Sequence, residues 1–347
     1  MRSQLILFLL LNFCFVTSWA QSFQVGHTQQ TFVDAARANR NITAEIYYPA
    51  ATVGNDVSIA AGKFPVLIFG HGFLMVWSAY APEWNTLVPN GYILVFPTTE
   101  TGFSPSHINF GKDMAYLVGA MKAEGTNAAS IFFDAVANTS AVMGHSMGGG
   151  SAFLAVQYDT SITVLATLAA ANTNPPSIAA ATGISIPAIV IAGENDCVAP
   201  AGQHQLPMYT ALASPCKTFV SITGGSHCQF ANTNTFCAIG EGTCTPSPAI
   251  TPATQQSTTF NLLLPWLNYY LKNDNAAGAQ FQNLITAGSG ITAQQNCSLL
   301  TTPVISAFSA FGLGCLGFAR QDNRALTINY LGCSQLFNCL VETKNIQ

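Results

Sequence analysis

The stretch Val142-Met143-Gly144-His145-Ser146-Met147-Gly148-Gly149-Gly150 constrains this chain more than any other, because an apolar strand runs straight into a glycine-flanked serine and then into a helix. A serine in such a G-x-S-x-G turn stands at a strained strand-to-helix corner, with its hydroxyl pushed out over the edge of a sheet. Gly144 and Gly148 are small enough to let that corner close against its neighbours. Ser146 is therefore the candidate nucleophile, and the turn requires a largely parallel sheet beneath it.

The rest of the chain supplies that sheet. Phe64–Phe69, Tyr92–Phe96, Ser140–Met143, Ile162–Ala166, Ala188–Ile191 and Phe219–Ile222 are short apolar runs suited to strands buried on both faces. Thr43–Pro49 alternates like a half-exposed early strand. Between the runs, Met114, Leu117, Val118 and Met121 recur at helical spacing, and a last clear helix carries Leu262, Leu263, Leu264, Trp266, Leu267 and Tyr270. Strands alternating with helices predict an α/β fold, with a mostly parallel central sheet and helices on both faces. Ligands of such sheets bind at the C-terminal ends of the strands.

A nucleophilic serine needs a base and a carboxylate to orient that base, and in this architecture the chain order is serine, acid, histidine. Of the six histidines only His204 and His227 follow Ser146. His227 ends the glycine-rich segment Ile222-Thr223-Gly224-Gly225-Ser226-His227, directly after an apolar strand, and is the expected base; His204, between two glutamines, reads as a surface residue. Asp196 follows the strand Ala188–Ile191 and is the expected acid, with Glu194 its local competitor and Asp159 pointing away. The oxyanion that forms during acyl transfer needs two donors. The amide after the nucleophile, Met147, is one, and Phe73 in Gly70-His71-Gly72-Phe73 is the other, with His71 bracing that loop.

Composition bears on where such a site works. Charged residues are only 7% of the chain. With fifteen acidic and eleven basic side chains there is no basic stripe for nucleic acid. Arg2, the apolar run Leu5–Val16 and the small-residue ending Ser18-Trp19-Ala20 read as an export signal over residues 1–20, predicting a secreted or periplasmic protein. No later segment has the length of apolar chain a membrane span needs. Residues 21–300 suffice for one catalytic domain, and 301–347 form a cysteine-containing tail of open role.

Cys197, Cys216, Cys228, Cys237, Cys244, Cys297, Cys315, Cys333 and Cys339 follow the signal, and in an exported chain they read as disulfides rather than as a metal site. Because Asp196 and His227 are expected to touch, their neighbours Cys197 and Cys228 are predicted to bridge, with Cys237 and Cys244 closing a small loop of their own.

From Thr31 to Lys272 the chain resembles the α/β-hydrolase superfamily, in particular the dienelactone-hydrolase-like branch that holds platelet-activating-factor acetylhydrolases, chlorophyllases and cutinase-like polyester hydrolases. The segment from Arg37 to Pro49 is similar to the opening of the acetylhydrolases, and Phe69-Gly70-His71-Gly72-Phe73 to the oxyanion loop they share with chlorophyllases. Glu194–Pro200 and Gly224–Cys228 resemble the acid and histidine loops of polyester hydrolases. The resemblance implies a carboxylic-ester hydrolase without metal or organic cofactor, acting on small, lipid-like or polymeric esters, with Ser146, Asp196 and His227 as its triad and Phe73 and His145 touching substrate. Polyester hydrolases carry tryptophans at two clamp positions where this chain has His145 and the polar run Asn172-Thr173-Asn174. Ser146 replaces the cysteine nucleophile of dienelactone hydrolases. The competing functions are a non-catalytic ligand-binding protein on the same scaffold and a serine peptidase.

Overall fold

The computed structural model describes residues 22–299 throughout, together with the backbone of three strands between 317 and 345. The export signal expected over residues 1–20 lies outside the described residues.

Two long strands open the chain: β1 (Gln24–Asp34) pairs antiparallel with β2 (Arg40–Ala50) along its whole length, and the two-residue β3 (Gly54–Asn55) adds to its outer edge. β4 (Phe64–Gly70) is followed by helix α1 (Ala81–Leu87), β5 (Ile93–Pro97) by α2 (His107–Glu124), and β6 (Val136–His145) by α3 (Met147–Ala155). The alternation continues with β7 (Val164–Leu168) and α4 (Ser177–Ala181), then β8 (Ala188–Gly193) and α5 (Gln205–Ala211), then β9 (Lys217–Ile222). α6 (Thr235–Glu241), α7 (Pro252–Lys272) and α8 (Asn275–Ala287) precede β10 (Ile291–Gln295), which returns antiparallel to β9.

The sheet order is β10-β9-β8-β7-β6-β4-β5-β2-β1-β3, with the six strands from β9 to β5 parallel and β2 joining antiparallel to β5. This is the α/β-hydrolase arrangement that the elbow and the resemblance imply. Every residue of β4, β5, β7 and β8 is buried, which is why those strands read as unbroken apolar runs. Their alternate side chains feed two cores. Val66, Ile68, Val95 and Val142 pack on one face against Met114 and Leu117 of α2; Leu67, Phe69, Leu94 and Met143 pack on the other against Leu263 and Trp266 of α7. Each such side chain contributes roughly 1.5 to 3 kcal/mol of burial free energy. β1 has no such run: Gln24-Val25-Gly26-His27-Thr28-Gln29-Gln30 is polar because the strand lies near the sheet edge with only part of it covered.

Residues 301–347 include an antiparallel three-stranded sheet of their own, β11 (Gly317–Asp322), β12 (Ala325–Ser334) and β13 (Asn338–Asn345). No described helix is long and apolar enough to cross a membrane.

The predicted disulfides are rearranged. Cys197 pairs with Cys244 and Cys228 with Cys237, instead of Cys197 with Cys228 and Cys237 with Cys244, and Cys216 pairs with Cys297. Convergence of the Asp196 and His227 side chains does not carry their successors together. After Asp196 the chain curls back so that Val198 and Ala199 donate to its carboxylate, and after His227 it enters a short 3-10 turn, Cys228–Phe230. Each cysteine is thus presented to the segment around α6, which folds back over both loops. Cys315, Cys333 and Cys339 lie outside the residues whose side chains are described.

Candidate active site

Ser146 joins β6 to α3 with φ 55° and ψ −119°, a conformation a non-glycine residue adopts only when its surroundings compel it. The compulsion is close packing of backbone on backbone. A Cβ at Gly148 would lie 2.1 Å from the Gly70 carbonyl oxygen, and one at Gly144 would lie 2.5 Å from the Gly148 carbonyl carbon. The Ser146 amide donates to Leu168 O at 3.0 Å, and its carbonyl accepts from Ala171 and Gly150. The serine backbone is thereby tied to α3 and to the β7 edge.

Three side chains from separate strand ends meet there in series. His227 Nε2 lies 2.9 Å from Ser146 Oγ, and His227 Nδ1 lies 2.8 Å from Asp196 Oδ2. The other Asp196 oxygen accepts from the amides of Val198 and Ala199 at 2.9 and 2.8 Å. With Nδ1–H donating to the carboxylate, Nε2 is left as an acceptor for the serine hydroxyl proton. Ser146 is 9% exposed and His227 2%, so the serine keeps a small accessible surface while the imidazole is shielded from water. Glu194 takes no part in this series; its Oε2 accepts from the Gly224 amide at 2.7 Å and fastens the histidine loop to the acid loop.

The chain opens onto a cleft of about 400 Å³ lined by Ser146, Met147, Phe73, Phe103, Asn172 and Thr173, among others. Among the described residues no acceptor engages the amides of Phe73 or Met147, and both residues line that cleft beside Ser146. The arrangement can deprotonate an alcohol and offer two free N–H groups to a developing anion.

His145, expected to touch substrate, does not face the cleft. It is 0% exposed, and its ring lies behind the His227 loop, where β6 turns it towards the core. Its Nε2 is 2.9 Å from the His227 carbonyl, which can only accept, so Nε2 carries the proton. Burial, reinforced by the neighbouring His227, pushes the His145 pKa well below its ordinary value and keeps the ring neutral. Nδ1 must then accept, and it does so from the Tyr80 hydroxyl at 3.0 Å; that hydroxyl accepts in turn from the Gly72 amide at 2.8 Å. One directed chain, Gly72 N–H to Tyr80 O–H to His145 to His227 C=O, joins the loop bearing Phe73 to the backbone of His227.

Sequence reading missed Tyr80, which sits seven residues past Phe73 with no local mark. It also missed Gln255 of α7, whose amide accepts from Ser226 N–H and donates to Ser226 O, both at 2.8 Å. His204 is not a free surface residue: it is half-buried, and Nδ1 accepts the Asn172 amide at 2.9 Å. Burial lowers its pKa, which favours that accepting form. His107 Nδ1 does the same for Asn174 at 3.1 Å, so two imidazoles hold the polar wall of the cleft. His71 is buried with Nε2 2.9 Å from Thr99 O, a position that ties the loop bearing Phe73 to the segment just after β5.

The chain is 24% identical over 197 residues to a bis(hydroxyethyl) terephthalate hydrolase of Streptomyces coelicolor, an alignment covering 56% of this chain. It spans 57% of the length of that curated relative. The family model described as PETase, PET hydrolase-like, matches residues 20–242, which include Ser146, Asp196, His227 and both expected oxyanion donors. With well over half of its length inside that match, the chain belongs to the PET hydrolase-like family.

Proposed function

We propose that this protein is an exported serine hydrolase of carboxylic esters, with terephthalate-type and polyester esters among its substrates. The observation that carries the proposal is the continuous hydrogen-bonded series Asp196–His227–Ser146 at the floor of an open cleft. His227 Nε2 takes the Ser146 proton as Oγ attacks the ester carbonyl carbon, and the carbonyl oxygen becomes an anion held by the Phe73 and Met147 amides. Collapse breaks the bond to the alkoxy group, which leaves as an alcohol with the proton from His227. Water, deprotonated by His227, then attacks the acyl-enzyme and releases the acid, restoring the Ser146 hydroxyl. Asp196 keeps the imidazole in the required tautomer throughout.

Family membership and the name of the Streptomyces relative support terephthalate esters as substrates. Three disulfides among the described residues support export to an oxidising compartment.

The test is turnover of p-nitrophenyl esters of increasing chain length, of bis(hydroxyethyl) terephthalate and of polyester film, by the native chain and by Ser146→Ala. The native chain should hydrolyse esters, and Ser146→Ala should lose at least about 10⁴-fold in kcat. Comparable turnover by the alanine variant would refute the mechanism; no ester turnover by the native chain would leave a ligand-binding role as the better reading.

A further inference from the structure

Phe103 and Phe236 are exposed apolar rings that the proposed mechanism leaves unused. Phe103 is 79% exposed on the loop after β5, and Phe236 is 50% exposed on α6, which follows β9. β5 and β9 are the two outermost of the six parallel strands, with the serine strand β6 between them. Yet the two rings meet edge to face, centroids 6.4 Å apart and planes at 89°. Both rings lie on segments that follow C-terminal ends of parallel strands, the edge of the sheet at which Ser146 stands, and Phe103 lines the same cleft as Ser146, Met147 and Phe73.

The Phe236 side of this contact is anchored next to the reacting groups. α6 is bonded through Cys237 to Cys228, the residue after His227, and the chain just beyond it through Cys244 to Cys197, the residue after Asp196. The Cys228 amide also donates to Glu241 at the end of α6, at 3.0 Å. Phe236 is therefore held in register with the histidine and acid loops. Asn172 and Thr173 give the cleft a polar part of its lining, and Phe73 and Phe103 supply its phenyl rings. Large exposed apolar side chains grouped at a cleft mark a surface completed by a bound partner, since leaving them in water is unfavourable.

We propose that Phe103 and Phe236 form an aromatic clasp over the cleft that selects esters with an aromatic acyl group over esters with a small aliphatic one. This rests on the ester-hydrolase reading above. A planar acyl group between Phe73 and the clasp would find ring edges and faces on two sides, an arrangement favourable beyond the area it buries. An acetyl group offers no ring for the clasp to stack against.

The test compares ethyl benzoate with ethyl acetate, which share their alcohol, using Phe103→Ala, Phe236→Ala and the double variant of the full chain, with acid release followed by titration. Each single variant should lower kcat/KM for ethyl benzoate by about tenfold and change that for ethyl acetate by less than about twofold. Because the rings act as a pair, the double variant should fall little below the weaker single variant. Equal losses on both esters, or no change on benzoate, would overturn the clasp. Calorimetric binding of ethyl benzoate to Ser146→Ala, with and without Phe103→Ala, reads the clasp without catalysis: an unchanged Kd overturns it, and about tenfold weaker binding supports it. Absence of turnover in the native chain beside intact, Phe103-dependent binding would refute the hydrolase reading while sustaining the clasp.

Discussion

Ser146 is positioned by backbone pressed against backbone, whereas Asp196 and His227 stand on loops held by side chains and sulfur. On the serine side, Gly70, Gly144 and Gly148 bring β4, β6 and α3 so close that no Cβ fits between them. On the other side one such approach exists, Gly193 against Ser226, and the remaining restraint comes from Glu194, Gln255 and two disulfides around α6. Each half is vulnerable in its own way. Close-packed backbone fails through added volume, while tied loops fail through lost ties.

The largest effect should come from Gly148→Ala, which drives a methyl group to 2.1 Å from Gly70 O and requires β4 and α3 to part. Such overpacking, with no flexible side chain to yield, should cost upwards of about 3 kcal/mol, read as a lowered urea midpoint together with lost ester turnover. Native-like stability in this variant would break the contrast at its root.

Next come the ties. Removing Cys197–Cys244 as a serine pair frees a separation of 47 residues and should cost about 4 kcal/mol in the loop-entropy account, against about 2.5 kcal/mol for the 9-residue separation of Cys228–Cys237. Calorimetric Tm values of the two double-serine variants check the ordering. A larger loss from the shorter loop would show that α6 packing, not chain entropy, dominates.

The two halves are joined through Tyr80 and His145, and Tyr80→Phe tests that link. Losing the hydroxyl strips an acceptor from Gly72 N–H and a donor from His145 Nδ1. The expected outcome is about a tenfold fall in kcat with KM little changed, because the reacting groups lose alignment while the cleft keeps its walls. A change in KM alone would mean that Tyr80 shapes the cleft instead.

A smaller, pH-dependent effect belongs to Glu83 of α1, buried beside Tyr80 with no hydrogen-bond partner for either oxygen among the described residues. Burial lifts the pKa of its carboxyl well above the ordinary glutamate value of 4.5. Above that pH the unfolded chain releases the proton while the folded chain retains it, so folding stability declines as pH rises. Glu83→Gln should therefore raise Tm at pH 7 and leave it nearly unchanged at pH 4; an equal gain at both would point to packing rather than ionisation.

Legibility followed the range of the interactions. Fully buried parallel strands print themselves as apolar runs, so β4 to β9 were readable. β1 was not, because a polar strand near a sheet edge has no period to detect, and neither was α8 with β10 beyond the last apolar helix. In the site, the meeting of Ser146, Asp196 and His227 was readable because each stands within a few residues of a strand end, in the order this architecture imposes. Tyr80 and Gln255 were not: Tyr80 bonds the His145 ring and Gln255 the Ser226 backbone, and nothing near either residue in the chain records that remote partner. His145 was misplaced for a related reason, since its position in the elbow says nothing about whether its ring turns to the cleft or to the core.

Cysteine pairing shows the same division most sharply. Residue order alone determined the strained serine corner, the sheet that carries it and the succession of groups that converge on it, since these depend on local geometry and on burial of whole strands. Which cysteines meet, which imidazole is buried and neutral, and which exposed aromatic rings touch were decided only in three dimensions, because each depends on the direction a side chain takes after two loops have already come together.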